Sequence, residues 1–253
     1  MMIDINGLNS NQKNAVMHID GPCMVLAGPG SGKTRVITHR IVNMVLNNNI
    51  NPKNILAISF TKASSTEMKN RALSLSHDVR LNKVSYGTFH SVFFRILRFF
   101  EKYELDCILD EKNKKFAIRG ILKNLNIENA EDDDTILNVI NEISYVKNEL
   151  MDKLDFDPEI LSKDEFIKAY NMYEDYKESI KKIDFDDMLI KTYHLLRNNK
   201  RVLERVRNAY RYILVDEFQD INKVQFEVIK LIASPNNNIF VVGDEDQSIY
   251  GFR

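Results

Sequence analysis

Between Ala27 and Thr34 the chain reads Ala27-Gly28-Pro29-Gly30-Ser31-Gly32-Lys33-Thr34, residue types suited to holding a polyphosphate. Glycines let several backbone N–H groups converge on one anion with no Cβ in the way. A lysine at the end of such a loop reaches the outer phosphates, and the following hydroxyl sits on a divalent cation. The spacing is that of the G-x-x-x-x-G-K-[ST] phosphate loop, with Ala27 at the first position. Two acidic runs could complete the chemistry. In Asp216-Glu217-Phe218-Gln219-Asp220, Asp216 is suited to hold Mg²⁺ and Glu217 to act as general base for an attacking water. In Gly243-Asp244-Glu245-Asp246-Gln247, Gln247 is placed to read a γ-phosphate or its water.

Such groups need rigid elements to aim them. The apolar run Cys23 to Ala27 predicts a buried strand before the loop. After it, Val36, Ile37, Arg40, Ile41, Met44 and Val45 recur at helical spacing. Strand, glycine turn and helix in that order is the context a phosphate loop requires, because the helix N-terminus adds partial positive charge. Residues 55–60 predict a second strand, 61–75 a helix, 84–86 a third strand, 87–91 a turn and 92–100 a helix. Strands alternating with helices predict an α/β fold with a parallel sheet. From residue 101 the strand signal stops, and 111–125, 134–150 and 163–180 carry helical periodicity. An apolar stripe there, Phe166, Tyr170, Tyr173 and Ile180, reads as core. Another helix starts near Asp184-Phe185-Asp186-Asp187, whose carboxylates suit a cap. Strands return at 212–215 and 239–242, each running into one of the acidic clusters. In open α/β sheets, ligands gather at the carboxyl ends of strands, and the loop and both clusters fall there.

Composition sets the outer bounds. With 44% hydrophobic residues the chain buries a real core. Its longest apolar run, Cys23–Ala27, is too short for a membrane span, and its start carries no signal-peptide hydrophobic region. Two cysteines are too few for a disulfide framework or a zinc site, which fits a cytoplasmic protein. The net charge of −1 means that any nucleic-acid binding relies on local charge. That charge is uneven: Lys53–Lys123 holds 14 Lys/Arg against 7 Asp/Glu, while Glu128–Asp157 holds 2 against 10.

Taken together and in order, these runs resemble the N-terminal half of superfamily 1A DNA helicases of the UvrD/Rep/PcrA type, from Leu8 to Arg253. Leu8 to Val16 is similar to the Q motif, which implies that Gln12 contacts adenine. The loop of Ala27 to Thr34 takes the family's form, which commonly begins with Ala, and with Arg35 it makes up the expected ATP site. Ser59 to Met68 is similar to motif Ia, departing at Lys62 to Ser65, where Asn-Lys-Ala-Ala is more usual; Lys62 stands in as the basic contact. Gly87-Thr88-Phe89-His90-Ser91 resembles the next DNA-contacting motif. Val215 to Asp220 matches motif II, and Gly243 to Arg253 matches motif III, with Phe252 where relatives often carry Trp. The resemblance implies that Phe60, Thr61, Lys62, Thr88, His90, Tyr250, Phe252 and Arg253 face single-stranded DNA, with Phe60, Tyr250 and Phe252 lining base pockets.

It also implies an architecture: a RecA-like P-loop NTPase domain over 1–100 and 184–253, interrupted by an all-helical insertion domain over 101–183. The second RecA-like half, with its arginine finger, is not among these residues and is expected as a partner from the same protein. The implied activity is ATP- and Mg²⁺-dependent 3′→5′ translocation and unwinding of 3′-tailed duplex DNA, in repair or recombination. The alternatives are a nucleotide-gated single-stranded-DNA binding module that does not unwind, and the helicase part of a helicase–nuclease.

Overall fold

The structure is a computed structural model that describes residues 5–28 and 30–244. In chain order it contains Ser10–Met17 (α1), Cys23–Leu26 (β1), Lys33–Leu46 (α2), Ile55–Ser59 (β2), Lys62–Ser76 (α3), Ser85–Thr88 (β3) and Phe89–Glu101 (α4). Then follow Glu111–Asn124 (α5), Asp133–Asn148 (α6), Lys163–Ser179 (α7), Phe185–Asn198 (α8) and Lys200–Ala209 (α9). Tyr212–Val215 (β4), Lys223–Ala233 (α10) and Ile239–Gly243 (β5) complete the described elements. No described helix is long and apolar enough to cross a membrane.

Two compact units divide the chain. One takes the residues up to Val92, Leu195–Ile221 and those from Phe226; the other takes Phe93–His194 with Asn222–Gln225. Two of these divisions fall inside α4 and α8, so the helical unit begins 8 residues before and ends 11 residues after the block expected over 101–183.

The first unit is a five-stranded parallel sheet in the order β1-β5-β4-β2-β3. Strand β2, Ile55-Leu56-Ala57-Ile58-Ser59, is buried along its whole length, as an unbroken apolar run in a two-sided parallel sheet must be. One face of the sheet packs on α1, α2 and α3 through Val16, Ile37, Ile41, Met44, Met68 and Ala72 against Ala57, Leu214, Phe240 and Val242. Two polar side chains fix α1 on α2: Arg40 donates to the carbonyls of Ala15 and Ile19, and Asn43 to that of Val16. Burial pushes the Arg40 guanidinium down to about 10, and it stacks 4.3 Å over the Phe240 ring. The sheet order decides the geometry of the site. It sets the carboxyl ends of β1, β5 and β4 side by side, and those of β2 and β3 next to them.

The second unit is helical. Ile118, Ile136, Val139, Ile143, Phe166 and Tyr173, from α5, α6 and α7, form its core. Its two chain ends are pinned together where Ile183 donates to the Cys107 carbonyl and Leu109 donates to that of Ile183, both at 2.8 Å. Beside that core lies a buried ionic network of Lys114, Lys147 and Lys177 with Glu174, Asp184, Asp186 and Asp187.

Candidate nucleotide and DNA sites

The loop after β1 turns on glycines in conformations that L side chains rarely adopt. Gly30 has φ +70° and Gly32, which precedes α2, has φ +88°. A Cβ on Gly32 would also lie 3.1 Å from Gln12 Nε2. Gln12 reaches that loop because α1 holds it there. Its Nε2 donates to the Ser31 carbonyl at 2.9 Å, while its Oε1 accepts from Asn9 N in a reciprocal cap. Arg35 lies against the loop before α1, where a Cβ on Gly7 would meet its guanidinium at 2.6 Å. Thr34 occupies the first turn of α2. Gly28 and Gly30 have open space where a Cβ would be, as a cradle for an anion requires. Pro29 lies outside the described residues.

Two remote segments converge on Lys33. Its Nζ lies 3.3 Å from Asp244 Oδ2 at the end of β5 and 3.8 Å from Glu217 Oε2 after β4. The Lys33 and Asp244 side chains are 10% and 2% exposed, whereas that of Glu217 is 40% exposed. Asp216 is buried directly after β4, which its own N–H prolongs by donating to the Ile58 carbonyl at 2.9 Å. Burial first, and the neighbouring Glu217 second, push the Asp216 carboxyl up to about 6, against the pull of Lys33. Glu217 sits in the left-handed region at φ 52°, ψ 51°, an unusual place for a non-glycine residue and one that recurs at active sites. Gln247 lies outside the described residues.

Phe60, Thr61 and Lys62 follow β2, and Thr88 and His90 stand at the end of β3, whose register pairs Ser59 with Thr88. Phe60 is half-buried and Lys62 exposed. Thr61 caps α3, its hydroxyl accepting from Ser64 N at 3.1 Å. Thr88 is tied in a reciprocal cap with Ser91. Tyr250, Phe252 and Arg253 lie outside the described residues. A cavity of about 980 Å³ between α2 and α3 is lined by Arg35, His39, Lys62, Glu67 and Arg71 among others. Lys33, Asp216 and Glu217 do not line it, so the chemistry belongs to the polar convergence and not to this cavity.

Two site residues escaped the sequence analysis, Asp244 and Gln219. Each stands inside a run quoted for another residue, and only the pairing of β1 with β5 and of β5 with β4 shows what it touches.

Comparison with known proteins agrees with the α/β fold. The sequence profile of the UvrD/REP helicase N-terminal domain matches residues 8–253. The ATP-dependent DNA helicase PcrA of Staphylococcus aureus is 38% identical over 256 residues, covering 98% of this chain and 34% of the relative. A probable DNA helicase II homolog of Mycoplasma capricolum is 38% identical, covering 97% of this chain and 35% of its own length. PcrA of Staphylococcus epidermidis is 37% identical. The chain thus spans about a third of the length of these relatives.

Proposed function

The chain belongs to the UvrD/REP helicase family, and from that premise we propose that it is the ATP-binding region of an ATP-dependent 3′→5′ DNA helicase acting on 3′-tailed duplexes. The observation that carries this reading is the convergence of Lys33, Glu217 and Asp244 at adjacent strand ends, 3.3 and 3.8 Å apart. Backbone N–H groups of Gly28 to Lys33 and the Lys33 ammonium receive the triphosphate, and Gln12 and Arg35 meet the base end. Thr34 and Asp216 supply oxygen donors of the kind Mg²⁺ takes. Mg²⁺ bound there would neutralise phosphate charge. Asp216 suits that role because burial disfavours its lone charge, and a cation restores the balance. Glu217, exposed enough to touch solvent, takes the proton of the attacking water. Gln247 reads the γ-phosphate.

The test is a steady-state ATPase assay on the 253-residue chain, with and without single-stranded DNA. We expect slow turnover, abolished by Glu217→Gln. Related sites gain about 10³ to 10⁵ in rate from an arginine finger, which the family resemblance places in a second RecA-like domain. DNA-stimulated turnover that Glu217→Gln removes would show this region to be a complete catalyst.

A pH dependence follows from Asp216. Mg²⁺ needs its ionised form, and its carboxyl is pushed up to about 6. Affinity for Mg²⁺·ATP therefore falls as pH drops through about 6, with a proton displaced on binding. For the free protein the sign is opposite, since this raised carboxyl favours folding increasingly as pH falls toward its unfolded value. Calorimetry between pH 5 and 8 in buffers of different ionisation enthalpy checks it; pH-independent affinity would remove Asp216 from the site.

For DNA we expect weak, single-strand-selective, salt-sensitive binding at the ends of β2 and β3. Phe60→Ala removes a stacking surface worth about 1–3 kcal/mol. Anisotropy titration should show the loss, and an unchanged affinity would assign Phe60 to the core.

A further inference from the structure

We propose that Gln219 is a positioning residue that aims the Glu217 carboxylate and ties it to the carboxyl end of β5. The proposal rests on the reading of Glu217 as the general base. Gln219 Nε2 donates to Glu217 Oε2 at 2.9 Å and to Asp220 Oδ2 at 3.3 Å. Its Oε1 accepts from the backbone N–H of Asp244 at 3.0 Å. Only this orientation of the amide works, because the reverse would set its oxygen against two carboxylates and its NH₂ against an N–H.

Each end of the amide has a reason to be there. Glu217 is held by its backbone in the left-handed region, and its half-open side chain has several rotamers to choose from. A hydrogen bond from a neutral donor selects one of them without adding to the positive charge that Lys33, 3.8 Å away, already sets beside the base. It occupies one carboxylate oxygen and leaves the other for a water proton. At the far end, Gly243 makes the room: a Cβ there would stand 3.0 Å from Gln219 Oε1. Asp244, whose N–H the amide receives, is the residue whose carboxylate faces Lys33 at 3.3 Å. A continuous path therefore runs from Lys33 through Asp244 and Gln219 to Glu217, joining the group that meets the phosphates to the group that meets the water.

The chemistry is specific to an amide. Gln219→Glu keeps the shape but loses the donor and sets a third carboxylate beside Glu217 and Asp220. Gln219→Ala removes both bonds. The experiment measures single-turnover ATP hydrolysis with protein in excess, alongside the calorimetric Kd for Mg²⁺·ATP, in both variants. Hydrolysis is expected to fall by about 10- to 100-fold while the Kd stays within about threefold. In a Glu217→Gln background, Gln219→Ala should change the rate by less than about twofold, since the group it aims is gone. An unchanged rate in Gln219→Ala overturns the proposal, as does an equal fall in both backgrounds or a parallel loss of affinity and folding. Glu217→Gln that hydrolyses like the wild type overturns the base assignment itself, and the positioning role with it. Glu217→Gln that is inactive while both Gln219 variants are normal overturns the positioning role alone.

Discussion

Lys33→Ala is expected to weaken Mg²⁺·ATP binding by about 30- to 1,000-fold, a loss of about 2–4 kcal/mol. The side chain is 10% exposed, so its charge acts where water screens poorly. In the ligand-free protein that charge answers Asp244 at 3.3 Å and Glu217 at 3.8 Å. An arriving triphosphate competes with these carboxylates for the ammonium and, at the loop, also gains backbone N–H donors. Without Lys33 the phosphates meet Glu217 and Asp244 with no ammonium between them, so the variant loses an attraction and uncovers a repulsion. Lys33→Met, which keeps the stem and removes only the charge, should behave like Lys33→Ala. Calorimetry with a non-hydrolysable ATP analogue in Mg²⁺ measures both. Equal affinity in wild type and variants would remove the loop from the nucleotide site.

Local pattern accounts for what the sequence makes legible. The loop, its glycines and the flanking strand and helix are contiguous, and each local preference agrees with its neighbours. The parallel sheet follows from the alternation of strands and helices, and the helical block from the end of the strand signal at residue 101. The apolar stripe holds at Phe166 and Tyr173, which are fully buried, but not at Ile180, which lies just past the end of α7 and is exposed. What escapes is non-local. Arg40 counts as one position of an apolar stripe, yet it works as a buried donor that holds α1 in place. Neither α9 nor α10 is among the helices expected from the sequence, and the expected turn over residues 87–91 is instead the end of β3 and the start of α4. Asp184 and Asp187 do cap α8, each accepting from the other's N–H. Nothing in their spacing shows that three lysines from three other helices close on them.

That network makes the second large prediction: Lys147→Met is expected to destabilise the protein by about 3–5 kcal/mol. Lys147 Nζ lies 2.5 Å from Asp187 and 2.8 Å from Glu174. Lys177 lies 2.6 Å from the same Asp187 and 2.9 Å from Glu174. Lys114 meets Asp186 at 2.9 Å, and the Tyr173 hydroxyl donates to Asp184 at 2.9 Å. Three cations thus serve four carboxylates drawn from α5, α6, α7 and the start of α8. Burial by itself would lower the pKa of Lys147, but Asp184, Asp187 and Glu174 outweigh it and hold that pKa well above its usual value. Burial would raise the pKa of Asp184, but Lys147, Lys177 and Lys114 outweigh it and hold the carboxyl well below the usual range. The depressed carboxylate contributes stability above its unfolded value of about 4, lost as pH falls through the lower folded value. The raised lysine contributes below its unfolded value of about 10.4, lost as pH rises through the higher folded one. The wild-type contribution is therefore flat from about pH 5 to 9. Lys147→Met leaves two lysines for the half-buried Glu174 and three buried aspartates, so a carboxyl must take up a proton or stay ionised without a partner. Its deficit against wild type should be largest near pH 8 and shrink toward pH 5, because proton uptake then costs less. Urea unfolding at both pH values measures it. A deficit under about 1 kcal/mol, or one independent of pH, would mean that the network rearranges around the missing cation.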